Sequence, residues 1–102
     1  MDIHSSRYVV VVFAMKGCGA CEEFLPRFRR IAAKYRRCVP VMHFDAAAPG
    51  HQAVADHYGV THTPTVVLVR RPQGKLQWNG GLDDHEIENI FAIAARGQAC
   101  GL

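Results

Sequence analysis

From Arg7 to Phe13 the chain reads Arg-Tyr-Val-Val-Val-Val-Phe with no polar alternation, the pattern of a strand buried on both faces at the centre of a sheet. A small-residue turn, Lys16-Gly17-Cys18-Gly19-Ala20-Cys21, follows it. Phe24, Phe28, Ile31 and Tyr35 then recur at helical spacing and predict a helix with one apolar stripe, interrupted by Pro26 and ended before Pro40. Val39 to Asp45 reads as a second strand, parallel to the first because a helical crossover leads to it. Ala46-Ala47-Ala48-Pro49-Gly50 breaks the chain, and a short helix is expected over His51 to Tyr58, stopped by Gly59. Pro64 to Arg70 is a third strand. The turn Arg71-Pro72-Gln73-Gly74 returns the chain as an antiparallel partner over Lys75 to Trp78. After Asn79-Gly80-Gly81, Asp83 and Glu86 form a capping box for a last helix whose stripe is Ile87, Ile90, Phe91 and Ala94. The order β-α-β-α-β-β-α places the chain in the α/β class with a mixed four-stranded sheet.

Composition narrows the functional classes. At 102 residues, 49% hydrophobic and 21% charged, the sequence fits one domain over residues 1–102 and is not that of a disordered chain. Its longest apolar run, Tyr8 to Met15, has 8 residues, far short of the roughly 18 that span a bilayer, so no membrane is expected. No secretory signal pattern follows Met1, and the expected location is cytoplasmic. Twelve Lys and Arg against nine Asp and Glu give only +3, too mild to imply nucleic acid. Half of these basic residues (Arg27, Arg29, Arg30, Lys34, Arg36 and Arg37) crowd into one helical segment, where a solvated face is expected.

Cysteine spacing supplies the candidate chemistry. Cys18 and Cys21 form a Cys-x-x-Cys pair at the strand-to-helix turn, whereas Cys38 follows after 16 intervening residues and Cys100 stands two residues from the end. Cys18 is placed to cap the helix, where unpaired amides and the positive end of the helix dipole favour a thiolate and make it the nucleophile. Gly17 and Gly19 leave the sulfur reachable, Lys16 adds positive charge, and Cys21 lies one turn on, within reach for a reversible disulfide. Zinc would need two more ligands, and His57 and His62 lie beyond finger spacing from Cys21, so no metal is expected. A buried structural thiol pair fits poorly with a glycine-rich turn. Cys38 is expected to be a small buried hydrophobe, Cys100 an exposed tail thiol, and Trp78 a packing residue. His4, His43, His51, His57 and His85 show no ligand pattern.

Taken together, the Cys18-Gly19-Ala20-Cys21 turn, Pro26 five residues after it, Thr63-Pro64-Thr65 before a Val-rich strand and Asn79-Gly80-Gly81-Leu82 before the last helix resemble the thioredoxin family over nearly the whole chain. The resemblance implies a three-layer α/β/α thioredoxin-like fold and a thiol-disulfide oxidoreductase that reduces protein disulfides with Cys18 and Cys21 and no cofactor. It implies a cis Pro64 whose neighbour Thr63, with Gly17, Gly19, Ala20, Gly80 and Gly81, meets an extended substrate peptide. His62, two residues before Pro64, could tune the thiols from above the sulfurs. Expected partners are disulfide-containing proteins, with a thioredoxin-reductase-like enzyme or glutathione as electron donor. A glutaredoxin-like reductase acting with glutathione, or a binding module with little turnover, are the alternative readings.

Departures from the family pattern are concentrated around the pair. Gly17 replaces the aromatic residue before the first cysteine, and Ala20 the proline between the two. Val12 stands where the family has a buried acid, Val41 where that acid has its lysine partner. Without that acid, attack by Cys21 on a mixed disulfide is expected to be slow. The chain also begins about one strand and one helix later than the family does.

Overall fold

Valine and aromatic residues at every position of the first strand require cover on both sides, and two helical layers supply it. The computed structural model describes residues 7–71 and 74–96. Strand β1 (Tyr8–Ala14) leads into helix α1 (Gly19–Ala33), strand β2 (Val41–Asp45), a single 3-10 turn at Pro49–His51, and helix α2 (Gln52–His57). Strands β3 (Thr65–Arg70) and β4 (Lys75–Asn79) and helix α3 (Asp84–Ala94) complete it. The sheet order is β2-β1-β3-β4, with β1 parallel to β2 and antiparallel to β3, and β4 antiparallel to β3. The mixed four-stranded sheet and central β1 agree with the sequence pattern.

Alternation along β1 sorts its side chains onto two faces. Val10 and Val12 pack with Val66 and Leu68 under α1 and α3, in a cluster that holds Phe24, Phe28, Ile31, Ile87, Ile90 and Phe91. Val9, Val11 and Phe13 face the other way, onto Ala55 of α2 and Val67, with Phe44 at the margin. This is the three-layer α/β/α arrangement of the thioredoxin fold. Between α1 and α3 the aromatic rings interlock: Phe28 and Tyr35 lie 5.5 and 5.3 Å from Phe91, centroid to centroid. Trp78 packs half-buried on the same cluster.

Element boundaries shift where backbone groups are committed elsewhere. Val39 is buried as an apolar strand residue would be, yet its amide donates to the Tyr35 carbonyl at the end of the α1 turns, so β2 begins only at Val41. Pro40 has no amide to give and joins the sheet edge only by accepting from Val10 N–H at 3.0 Å. Strand β2 is also more exposed than its apolar sequence suggests, with Val41 at 38% and Met42 at 39% accessibility, because among the described residues it pairs only with β1. The capping box at Asp83 and Glu86 forms in both directions.

The basic run of α1 is not simply solvated. Arg27, Arg30 and Lys34, at helical spacing on one face, reach across to α3: Arg27 and Arg30 pair with Asp84, and Lys34 with Glu88. The layers bring α1 and α3 side by side on one face of the sheet, a proximity that linear sequence does not encode. Arg27 also grips Glu23 at 2.8 Å and donates to the Leu82 carbonyl at 2.8 Å, holding the loop before α3. The Arg27 guanidinium holds the Glu23 carboxyl below its ordinary value of 4.5. A depressed carboxylate is deprotonated in the fold before it is in the unfolded chain. Its stabilising contact is therefore complete above about pH 4.5 and is lost as pH falls through the lowered value. Arg27→Ala is expected to lower stability by about 1 kcal/mol, through the orphaned Leu82 carbonyl more than the exposed ion pairs. Arg30→Ala, which loses only an exposed pair, should change the urea midpoint little; equal losses in the two variants would contradict this ranking.

Candidate functional site

Where β1 ends, Gly17 takes a positive φ of 82°, a conformation disfavoured for other residues, and swings the chain into α1. Space is not the constraint there or at Gly19, since an added Cβ would meet nothing within 4 Å at either position. Cys18 is the N-cap, as its spacing predicts. Its backbone is extended, its carbonyl accepts from Glu22 N–H, and its Sγ accepts from Cys21 N–H at 3.1 Å. Cys18 and Cys21 are joined by a disulfide with their Cα atoms 5.2 Å apart. The two sulfurs differ in access: Cys18 is half-buried at the rim, while Cys21 is 1% exposed beneath it.

A second segment approaches from the far side of the sheet. The Thr63–Pro64 peptide is cis. Thr63 places its carbonyl oxygen 3.6 Å and its Oγ1 3.5 Å from Cys18 Sγ, close enough for the hydroxyl to donate to the sulfur. Thr65, fully buried at the start of β3, pins this turn by donating from Oγ1 to the His62 carbonyl at 2.7 Å. Gly80, with φ of 94°, donates its amide to the Pro64 carbonyl at 2.8 Å, so the glycine turn before α3 is tied to the proline segment. Thus Gly17, Cys18, Cys21, Thr63, Pro64 and Gly80 are linked by chain or hydrogen bond. Gly19 and Ala20 form the exposed first turn of α1, and Gly81 is exposed beyond Gly80.

His62 lies in the loop that leads to the cis proline. Its Nδ1 lies 2.9 Å from Thr61 Oγ1, and among the described residues no hydrogen bond joins its ring to either sulfur. Lys16 is exposed and lines a groove of about 260 Å³ that opens beside Cys21. Across this groove stand Glu22 and Leu25 of α1 and His43 and Asp45 of β2. The sequence left His43 among scattered histidines. Its only signal was the parallel register, which sets it opposite Val12.

Cys38 corrects an expectation. It is fully buried, as an apolar residue would be, but it is disulfide-bonded rather than an inert thiol. Cys100 and His4 lie outside the described residues. No group of three or more His, Cys, Asp or Glu side chains among the described residues converges as a metal site. No helix among them is long and apolar enough to cross a membrane.

A mixed sheet between two helical layers, with a disulfide capping the first helix and a cis-proline segment against the outer sulfur, defines the class: a thioredoxin-fold protein with its cysteine pair at the helix N-terminus. The sequence matches the thioredoxin family model over residues 2–92, and the chain belongs to the thioredoxin family. It is 29% identical over 91 residues to protein disulfide-isomerase like 2-2 of Arabidopsis thaliana, a match covering 89% of this chain and 20% of that protein. The chain thus spans about a fifth of that relative's length. Among solved structures, the germline-specific thioredoxin Deadhead of Drosophila melanogaster superposes with a TM-score of 0.75 at 26% identity, over 87% of this chain and 82% of that one. The thioredoxin of Fasciola hepatica shares the fold with a TM-score of 0.75 at 21% identity, over 87% and 82% of the two chains.

Proposed function

We propose that this protein is a thiol-disulfide oxidoreductase that reduces disulfides in protein substrates. The observation that carries the reading is the asymmetry of the pair, with Cys18 at the rim under Thr63 and Cys21 buried behind it. In the reduced form the Cys18 thiolate attacks a substrate disulfide. One substrate sulfur leaves as a thiolate and the other stays bonded to Cys18. Cys21, deprotonated in turn, attacks Cys18 Sγ, closes the internal disulfide and releases the second substrate thiolate. Two electrons pass to the substrate, and the protein ends in the disulfide form described above. Family membership and a cysteine pair already at bonding distance support the redox class. The Cys21 amide that donates to Cys18 Sγ is suited to stabilise a thiolate at the same place.

Thr63, Pro64, Gly80 and Gly81 form the substrate edge in this reading, with Thr63 backbone groups pairing to an extended peptide. Gly17, Gly19 and Ala20 give that peptide access to Cys18. Reduction as the net direction calls for a reducing compartment such as the cytoplasm, and for recharging by a thioredoxin-reductase-like enzyme or by glutathione.

Equilibration in glutathione buffers, read by alkylation and mass with Cys18→Ser as control, tests the proposal. A reversible two-electron transition toward about −270 mV is the expected result. A value near about −120 mV would assign an oxidant instead, and failure to form the disulfide at any poise would overturn the redox reading.

A further inference from the structure

Cys21 must lose a proton before it can attack the mixed disulfide, and it is buried. It is 1% exposed, and Val12, the β1 residue that packs with Phe24 and Phe28 of α1, is likewise 1% exposed. Neither side chain can accept the proton. The groove beside Cys21 offers a route, since Cys21 and His43 both line it and its volume of about 260 Å³ is several times the roughly 30 Å³ that one water occupies. Residues paired across a sheet project on the same face, so His43, in register with Val12, points to the α1 side.

We propose that His43 is the proton acceptor for Cys21, taking the thiol proton through water in this groove during the resolving step of the reaction proposed above. Cys21 Sγ–H gives its proton to the imidazole, and the resulting thiolate attacks Cys18 Sγ. The bond between Cys18 and the substrate sulfur breaks as the Cys18–Cys21 bond forms, and the departing thiolate is reprotonated from the imidazolium or from solvent. No oxidant other than the substrate disulfide is required.

The neighbours of His43 fit this task. Burial, and then the positive charge of Arg29 on α1, press its pKa below the ordinary 6.5, while Asp45 pulls the other way. Lys16 and Glu22 complete the charged groups facing the groove. The ring is therefore neutral, with an acceptor nitrogen ready, at neutral pH. Asp45 is a poorer candidate, because its Oδ1 already accepts the Ala47 amide at 2.9 Å. Glu22 and His43 are both exposed where they line the groove, and of the two side-chain types imidazole is the stronger base.

Single-turnover mixing of the reduced protein with a cystine-containing peptide, quenched in acid and resolved by mass, separates formation of the mixed disulfide from its resolution. The parent resolution rate is expected to rise with pH through an inflection below 6.5. His43→Gln should lose that inflection and resolve roughly 100-fold more slowly at neutral pH, with formation of the mixed disulfide unchanged. Added imidazole should restore the rate of His43→Ala, a recovery that a purely structural role would not give. Superposable pH profiles for the parent and His43→Gln would overturn the assignment to His43 alone. Absence of any mixed disulfide in the parent would instead remove the reductase reading, and this inference with it.

Discussion

Replacing Cys18 by serine is expected to reduce peptide-disulfide turnover to the uncatalysed rate, because Cys18 is the sulfur that reaches the surface and the one toward which the Cys21 amide points. Serine keeps the N-cap, since its oxygen also accepts an amide hydrogen bond, so the fold should survive and the loss can be assigned to chemistry. Cys21→Ser should behave in the opposite way. The first attack proceeds, no thiol resolves the product, and the substrate accumulates as a stoichiometric adduct on Cys18. Mass measured without reductant after incubation with a cystine peptide discriminates the two variants. Trapping by Cys18→Ser rather than by Cys21→Ser would reverse the roles given to the two sulfurs.

Phe91→Ala should be among the most destabilising single substitutions, by about 3–5 kcal/mol. Phe91 is fully buried and touches the rings of Phe28 and Tyr35, so its removal leaves a cavity between α1 and α3 that neither helix can close without leaving the sheet. Against a total stability of about 5–15 kcal/mol for a small domain, this would move the urea midpoint far while leaving the denaturant slope nearly constant. A loss below about 1 kcal/mol would show that α3 repacks freely over the sheet.

Signals confined to one stretch of chain were legible in the sequence, and those that depend on two stretches meeting were not. The capping role of Cys18, the Asp83–Glu86 box and the stripe through Phe24, Phe28 and Ile31 each lie within a few helical turns, where spacing translates directly into geometry. The continuous valines of β1 could only mean a strand covered on both sides. By contrast, Val41 and Met42 are apolar residues of the second strand, yet they are exposed because β2 is at the edge of the described sheet. The cations of α1 look solvent-facing until α3 brings Asp84 and Glu88 beside them. His43 carries no signal of its own. Only the register Val12–His43 sets it on the helix side of the sheet, above the groove it shares with Cys21. The thioredoxin resemblance, in turn, rested on short motifs at widely spaced positions, and it reached the fold where the order of predicted elements reached only the α/β class.

Thr63 stands 45 positions after the sulfur it contacts. Contacts across such a span carry a loop-closure cost that is recovered only when the intervening elements pack, so β1 cannot complete its pairing with β3 early in folding. The outer sulfur therefore acquires its neighbouring carbonyl and hydroxyl only in the final cooperative collapse. A partly made or partly opened chain carries the two cysteines but not the pocket around them. Reactivity of this kind is switched on by the fold as a whole, and a partial unfolding that frees β3 would silence the site even though helix α1 and its pair of sulfurs remained intact.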